Sequence, residues 1–208
     1  MPDPQCRPER TTKYSRGKRY LDNLEIHVCN IPYDGLPFED NTFDFVQQNL
    51  SAIVYTRSDW SRMLAELIRV TKPGGYIQLM EVDYYIHHCR LEQDVWLEKV
   101  LRSIEDHFHV QPHIARQLDT LLKEAGMTEV DGRLVSIPFG AWGLDIGILW
   151  QQNVDNVVEA MKPFLSSLLN MDGSTYRDKW RATVDELEHA KAFHNVHISW
   201  GRKPFPQE

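Results

Sequence analysis

Two carboxylates, Glu81 and Asp83, stand at the end of an apolar run, with His87 and His88 shortly behind them. A carboxylate or an imidazole at the mouth of a pocket can take a proton from a reacting group or orient it. Glu81, Asp83 and His87 are therefore the candidates for proton handling, with pocket lining as the plainer role for the acidic pair. Upstream, Gln47, Gln48 and Asn49 place three amides in a row at the end of another apolar segment. That composition suits a polar pocket wall, or simply a polar loop. His109 and His113 have the i, i+4 spacing of a helical ligand pair, but no third ligand stands at a convincing distance in sequence, so no metal is expected. Cys6, Cys29 and Cys89 are odd in number and contain no CxxC pair. They argue against a disulfide framework and fit a reducing compartment.

These residues need elements to hold them. Leu24, Ile26 and Val28 alternate with polar neighbours in the pattern of a half-buried strand, 24–29. Proline and glycine keep 32–38 irregular, and 43–47 reads as a short strand. Ser58 offers an N-cap, and behind it Trp60, Met63, Leu64, Leu67 and Ile68 form one apolar helical face. Lys72-Pro73-Gly74-Gly75 stops that helix and makes a turn. The run 76–82 then has the look of a strand buried on both faces. Strand, helix, turn and strand make a βαβ unit with parallel pairing.

Further on, Leu97, Val100, Leu101, Ile104 and Phe108 make a second helical face. Ile114, Leu118, Leu121 and Leu122 make a third, ended by Gly126. Strands are expected at 133–138 and 195–200. Between them lie a long helix through Val154 to Leu169, kinked near Pro163, and a last helix capped by Ser174. The sequence shows no internal repeat and no dividing linker.

The 208 residues are enough for one domain with a sizeable core, and 42% hydrophobic with 25% charged residues is a globular composition. No apolar run is long enough for a membrane span, and no secretory signal opens the chain. Residues 1–22 form a basic leader in which Arg7, Arg10, Lys13, Arg16, Lys18 and Arg19 outnumber the acidic groups, while the whole chain carries −7. The acidic remainder disfavours a nucleic-acid surface.

The segment Leu36-Pro-Phe-Glu-Asp-Asn-Thr-Phe-Asp-Phe-Val46, followed by Glu66-Leu-Ile-Arg-Val-Thr-Lys-Pro-Gly-Gly75 and a strand ending in Glu81-Val-Asp83, resembles the type 11 group of class I S-adenosylmethionine-dependent methyltransferases. Ile137-Pro-Phe-Gly-Ala-Trp142, Asp145 and Trp200-Gly-Arg-Lys-Pro204 look like fungal methyltransferases related to regulators of secondary metabolism. The resemblance implies an α/β, Rossmann-like fold with strand order 3-2-1-4-5-7-6 and the last strand antiparallel. Strands three to seven fall at 24–29, 43–47, 76–82, 133–138 and 195–200, with 143–192 as a helical insert or lid. Gly17 is the only glycine before residue 24, so the family's glycine-rich loop and the acidic end of its second strand are not found. An incomplete, N-terminally truncated version of the fold is expected, with the fourth strand as a bare edge and strand 24–29 paired directly with 43–47.

The same resemblance implies S-adenosylmethionine as cofactor, bound weakly or not at all without that loop. Asn30, Ile31 and Asp34 would lie on the adenine side, Gln47 and Gln48 beside the cofactor, and Asn49 and Trp142 toward the acceptor. The acceptor is expected to be a small molecule or a protein side chain, and the compartment cytoplasmic or nuclear. The alternative is a non-catalytic remnant that binds a partner or a second copy through its exposed sheet edge.

Overall fold

The computed structural model describes residues 23–206; the basic leader and Cys6 lie outside the described residues. Helix α1 (Ile31–Asp34) precedes strand β1 (Phe43–Asn49), helix α2 (Arg57–Val70) and strand β2 (Thr71–His87). Helix α3 (Leu91–Phe108) follows, then a 3-10 turn at Ile114–Gln117 and helix α4 (Leu118–Glu124). Strand β3 (Thr128–Pro138), the long helices α5 (Leu144–Leu168) and α6 (Gly173–His189), and strand β4 (Phe193–Arg202) complete the order. The sheet has four strands in the order β1-β2-β4-β3. β1 and β2 are parallel, while β4 runs antiparallel to both of its neighbours. This is the expected order of strands four, five, seven and six. The expected third strand, 24–29, is corrected: these residues carry no strand and do not pair with β1. An alternating pattern becomes a strand only when its backbone groups find a ladder.

The N-cap of helix α2 is Thr56, not Ser58. The Thr56 hydroxyl and N–H both donate to the Asp59 carboxylate, at 2.6 and 3.2 Å, a reciprocal cap of the first turn. Trp60, Met63, Leu64 and Leu67 are buried against Ile77 and Leu79 of the sheet and against Ile114, Leu118 and Leu122. Each such side chain contributes roughly 1.5–3 kcal/mol of burial. The helix ends at Val70, but Lys72–Gly75 is no separate turn, because β2 starts at Thr71. Between Phe43↔Thr71 and Phe45↔Tyr76 the register shifts, so that the Pro-Gly-Gly segment bulges out of the ladder. Gly75 passes so close to β1 that a Cβ would stand 2.8 Å from the Asp44 carbonyl oxygen.

Arg69 explains why the two signature segments belong together. Its guanidinium donates to the Phe38 and Leu36 carbonyls at 2.8 and 2.9 Å, and to Asp40 and Glu66 at 2.8 Å each. Glu66 in turn accepts the Leu36 N–H at 2.7 Å. The Leu36–Asp40 loop is thereby fastened to the last turns of α2.

A second buried cluster joins α3, α5 and α6 through Trp96, Ile104, Leu165, Tyr176, Trp180 and Leu187, with Phe139 and Ile86 beneath them. α5 starts ten residues before the expected apolar face and runs through Pro163. Helix α6 is capped by Asp172, whose carboxylate accepts the Ser174 and Thr175 N–H groups at 2.9 Å each, so Ser174 is a recipient of the cap. Among the described residues no helix is long and apolar enough to cross a membrane.

Candidate functional site

The carboxyl ends of β1 and β2 carry most of the residues singled out by chemistry. Gln48 and Glu81 are both buried there, and the Gln48 side-chain N–H donates to Glu81 at 3.0 Å. Glu81 also accepts the Ser51 N–H, at 2.7 Å to one oxygen, and the Ala52 N–H at 2.9 Å. Burial pushes its carboxyl above the usual value, and the Ser51, Ala52 and Gln48 donors work against that rise. With its acceptor sites occupied by protein donors, Glu81 fastens the loop that leaves β1. The loop, in turn, sets the position of Ile53.

Asp83 lies two residues on and is also buried, but its partners are different. His113 Nδ1 stands 2.7 Å from one oxygen, Arg116 Nε donates to the other at 2.5 Å, and the Tyr85 N–H adds a bond at 3.2 Å. Burial alone would raise this carboxyl; hydrogen bonds from His113 and Arg116 outweigh it, and the net shift is downward. The pair ties the 3-10 turn to the end of β2. Outside it opens a polar cleft lined by Tyr85, His87, His113, Arg116, Asn195 and His197. His87 is the last residue of β2 rather than part of a following loop. It stacks on Phe193 with ring centres 5.0 Å apart, and its Nε2 is 2.8 Å from the Asn195 amide nitrogen.

On the opposite side of β2, α3, α5 and α6 enclose an apolar cavity of about 80 Å³. Tyr84 and Ile86 form its floor, Trp96, Met161, Leu165 and Trp180 its walls, and Ile53 of the Glu81-pinned loop reaches it. Burial pushes the Tyr84 hydroxyl up to about 12, so it stays protonated. His194 also lines the cavity; burial lowers its ring to about 4, which keeps it neutral. The Trp150 indole donates to His194 Nδ1 at 3.0 Å, which places the imidazole proton on Nε2. Sequence reasoning missed Trp96, Trp150 and His194. Their only signal was a polar atom on a residue of an otherwise apolar face, visible at Trp96 and Trp150 within helical patterns.

The other expected site residues scatter. The Asn30 N–H lies 3.2 Å from the Asp34 carboxylate, so these two engage each other across α1, while Ile31 packs against the α2 core. Gln47 and Asn49 are exposed on β1, away from the buried face that holds Gln48. Trp142 is 40% exposed and donates to the Ala192 carbonyl at 3.2 Å; it forms no part of the apolar cavity. His109 ends α3 in the left-handed conformation and His113 lies beyond it, so the i, i+4 spacing does not create a helical pair. No group of three metal-ligating side chains occurs among the described residues.

A methyltransferase-domain profile matches residues 8–79 of the chain. The N-methyltransferase gliN of Aspergillus fumigatus is 27% identical over 88% of the chain and 68% of its own length. Over these stretches the chain is similar to methyltransferases. The secondary metabolism regulator laeA of Aspergillus niger is 22% identical, over 60% of the chain and 34% of its own length. Among solved structures, a phosphoethanolamine N-methyltransferase of Haemonchus contortus, in complex with phosphomonomethylethanolamine and S-adenosylhomocysteine, covers 86% of this chain at 15% identity with a TM-score of 0.48; the chain spans 37% of that protein.

Class I methyltransferases use S-adenosylmethionine, and its amino-acid end needs closely approaching backbone. The described residues do not fit that need. At four glycines where backbone could come close, the space is filled by the chain itself. Gly75 meets the Asp44 carbonyl and Gly132 the Ile198 carbonyl, while Gly147 meets the Gly140 carbonyl and Gly201 the Met127 side chain. Asn30 offers a polar edge of the kind an adenine could meet, but no cradle adjoins the end of β1 within residues 23–206.

Proposed function

We propose that this chain serves S-adenosylmethionine-dependent methyl transfer to a small molecule, with residues 23–206 furnishing the acceptor side. The observation that carries the reading is the place of the apolar cavity. It lies beyond the carboxyl ends of β1 and β2, where open α/β sheets receive ligands, and the loop leaving β1 forms part of its wall. A chamber enclosed by three helices suits a small acceptor better than a protein side chain. Its contribution is to hold the acceptor in one orientation and keep water out. Glu81, with its hydrogen bonds committed to Gln48, Ser51 and Ala52, positions the loop rather than removing a proton.

The test uses the purified full chain with methyl-labelled S-adenosylmethionine and small-molecule extract. Label should enter the small-molecule fraction, and S-adenosylhomocysteine should give binding heat in calorimetry. No heat at millimolar ligand together with no transferred label would end this reading. A second reading, a non-catalytic partner-binding module, draws on the free side of β1. That strand pairs only with β2 among the described residues, and its Phe45 is 53% exposed. Unpaired strand edges are templates for another chain. A dimer by light scattering, or a stoichiometric companion on purification, without cofactor heat, would favour it.

A further inference from the structure

The sheet ends on β3, and the outer side of that strand is open. Its inner side pairs with β4 from Asp131↔Trp200 to Pro138↔Phe193, and no strand lies beyond it among the described residues. The Phe139 N–H continues the same register by donating to the Ala192 carbonyl at 2.9 Å. Backbone groups alternate sides along a strand, so those of the odd-numbered residues face β4 and those of Gly132, Leu134 and Ser136 face outward. Gly132 agrees: its N–H donates to the carboxylate of its own neighbour Asp131, at 2.7 Å. Leu134 is 56% exposed nearby. A bulge between Thr128 and Asp131 and the missing N–H of Pro138 blunt the two ends of this edge, but not its middle.

That middle is self-complementary. Around Gly132 the order is Val130, Asp131, glycine, Arg133, Leu134, or apolar, acid, glycine, base, apolar. We propose that a second copy of this chain docks here, β3 against β3, antiparallel about a two-fold axis through Gly132. Each Asp131 then faces Arg133 of the other copy, so that two charge pairs form at once. Pairs flanking a hydrogen-bonded one are the close kind, with Cα atoms about 4.5 Å apart, which suits a cross-strand ion pair. Leu134 lies opposite Val130 of the second copy, on the face that carries the α2 core, and its exposed surface gains an apolar neighbour. Pairing also exchanges the bond between Gly132 and Asp131 for a backbone one, Gly132 N–H to Gly132 carbonyl across the axis. The carboxylate is thereby released to meet the arginine. The opposite edge lacks this property, because β1 carries a single charge, Asp44, which Lys72 engages at 2.9 Å. The docking goes beyond the methyl-transfer reading and needs no cofactor.

Sedimentation equilibrium of the full chain tests the pairing. The shared ladder is short, so the dissociation constant is expected on the order of 10 μM. Arg133→Asp sets carboxylates against each other at both pairs and should weaken association about tenfold. Asp131→Arg, which sets guanidinium against guanidinium, should do the same. The double exchange, Asp131→Arg with Arg133→Asp, restores opposite charges and should return the dissociation constant to within about threefold of the original. Both positions are exposed, so each variant should keep its far-ultraviolet circular dichroism. A monomer up to about 300 μM, a dimer indifferent to the single substitutions, or a double exchange that stays monomeric would overturn the proposal. Indifference to both single substitutions would assign the dimer to another surface, such as the β1 edge.

Discussion

The two sides of the β2 end are held by different means. On the side of α2 and the 3-10 turn, two buried carboxylates are saturated with donors: Glu81 by Gln48, Ser51 and Ala52, Asp83 by His113 and Arg116. On the side of α3, α5 and α6 the packing is aromatic and aliphatic, a cavity remains, and the Trp96 indole N–H is left without a partner. The first side is fastened and has no spare hydrogen-bonding capacity on its buried acids. The second differs in keeping a cavity, while unpartnered polar atoms occur on both sides, at Gln48 Oε1 and the Trp60 indole as at Trp96. Buried acidity thus marks structural fasteners here, while the room for a ligand lies among apolar helices.

Glu81→Ala gives the sharpest way to break this contrast. It strands the Ser51 and Ala52 N–H groups and the Gln48 amide, and should destabilise the protein by about 3–5 kcal/mol in urea unfolding. A loss below about 1 kcal/mol would show that the loop does not depend on this carboxylate. Asp83→Asn should cost less, about 1–3 kcal/mol, because the half-exposed Arg116 can be rehydrated. The two acids also give opposite pH dependences. Asp83 is lowered in the folded state, so its contribution is present above the unfolded value of about 3.9 and fades as pH falls through the folded value. Glu81 is raised, so its contribution is present below about 4.3 and is lost as pH rises through the folded value. Urea midpoints against pH should lose the acid-side decline in Asp83→Asn, whereas Glu81→Gln should lose the decline on raising pH.

On the helical side, Asp172→Ala removes the α6 cap and should cost about 1 kcal/mol, with Ser174→Ala costing visibly less in the same assay. Trp96→Phe should have the smallest effect, within about 1 kcal/mol, since lost ring contacts are offset by removal of a donor that has no partner. A large loss there would mean that the indole N–H is satisfied in solution.

The regular elements were legible where packing and pattern agree. The Trp60–Ile68 periodicity, the apolar run through Ile77 and Leu79, and the alternation of Val196, Ile198 and Trp200 all became the expected helix and strands. Residues 24–28 alternate equally well and remain irregular, unpaired although one side of β1 is free among the described residues. Both N-caps were misplaced by two residues, since Thr56 and Asp172 act from positions that local composition does not distinguish from Ser58 and Ser174. At the site, Glu81 and Asp83 stood out by type and position, but their partners lie about thirty residues away along the chain in opposite directions. Only folding reveals that both are already engaged. Trp96 was illegible for the converse reason: nothing in sequence shows that an indole will be buried without an acceptor.

The position of β4 has a consequence for how the chain is made. It is inserted between β2 and β3, and Asn195 meets His87 across 108 residues of sequence. A ribosome emitting this chain would release β1, α2 and β2 early, while the strand that separates β2 from β3 was still unsynthesised. Such long-range closure is slow, and exposed strand edges in a partly made protein invite wrong pairings. The nascent chain must therefore wait for residues 193–202 with an open groove at the middle of its sheet. Chaperone occupancy should fall when that segment emerges.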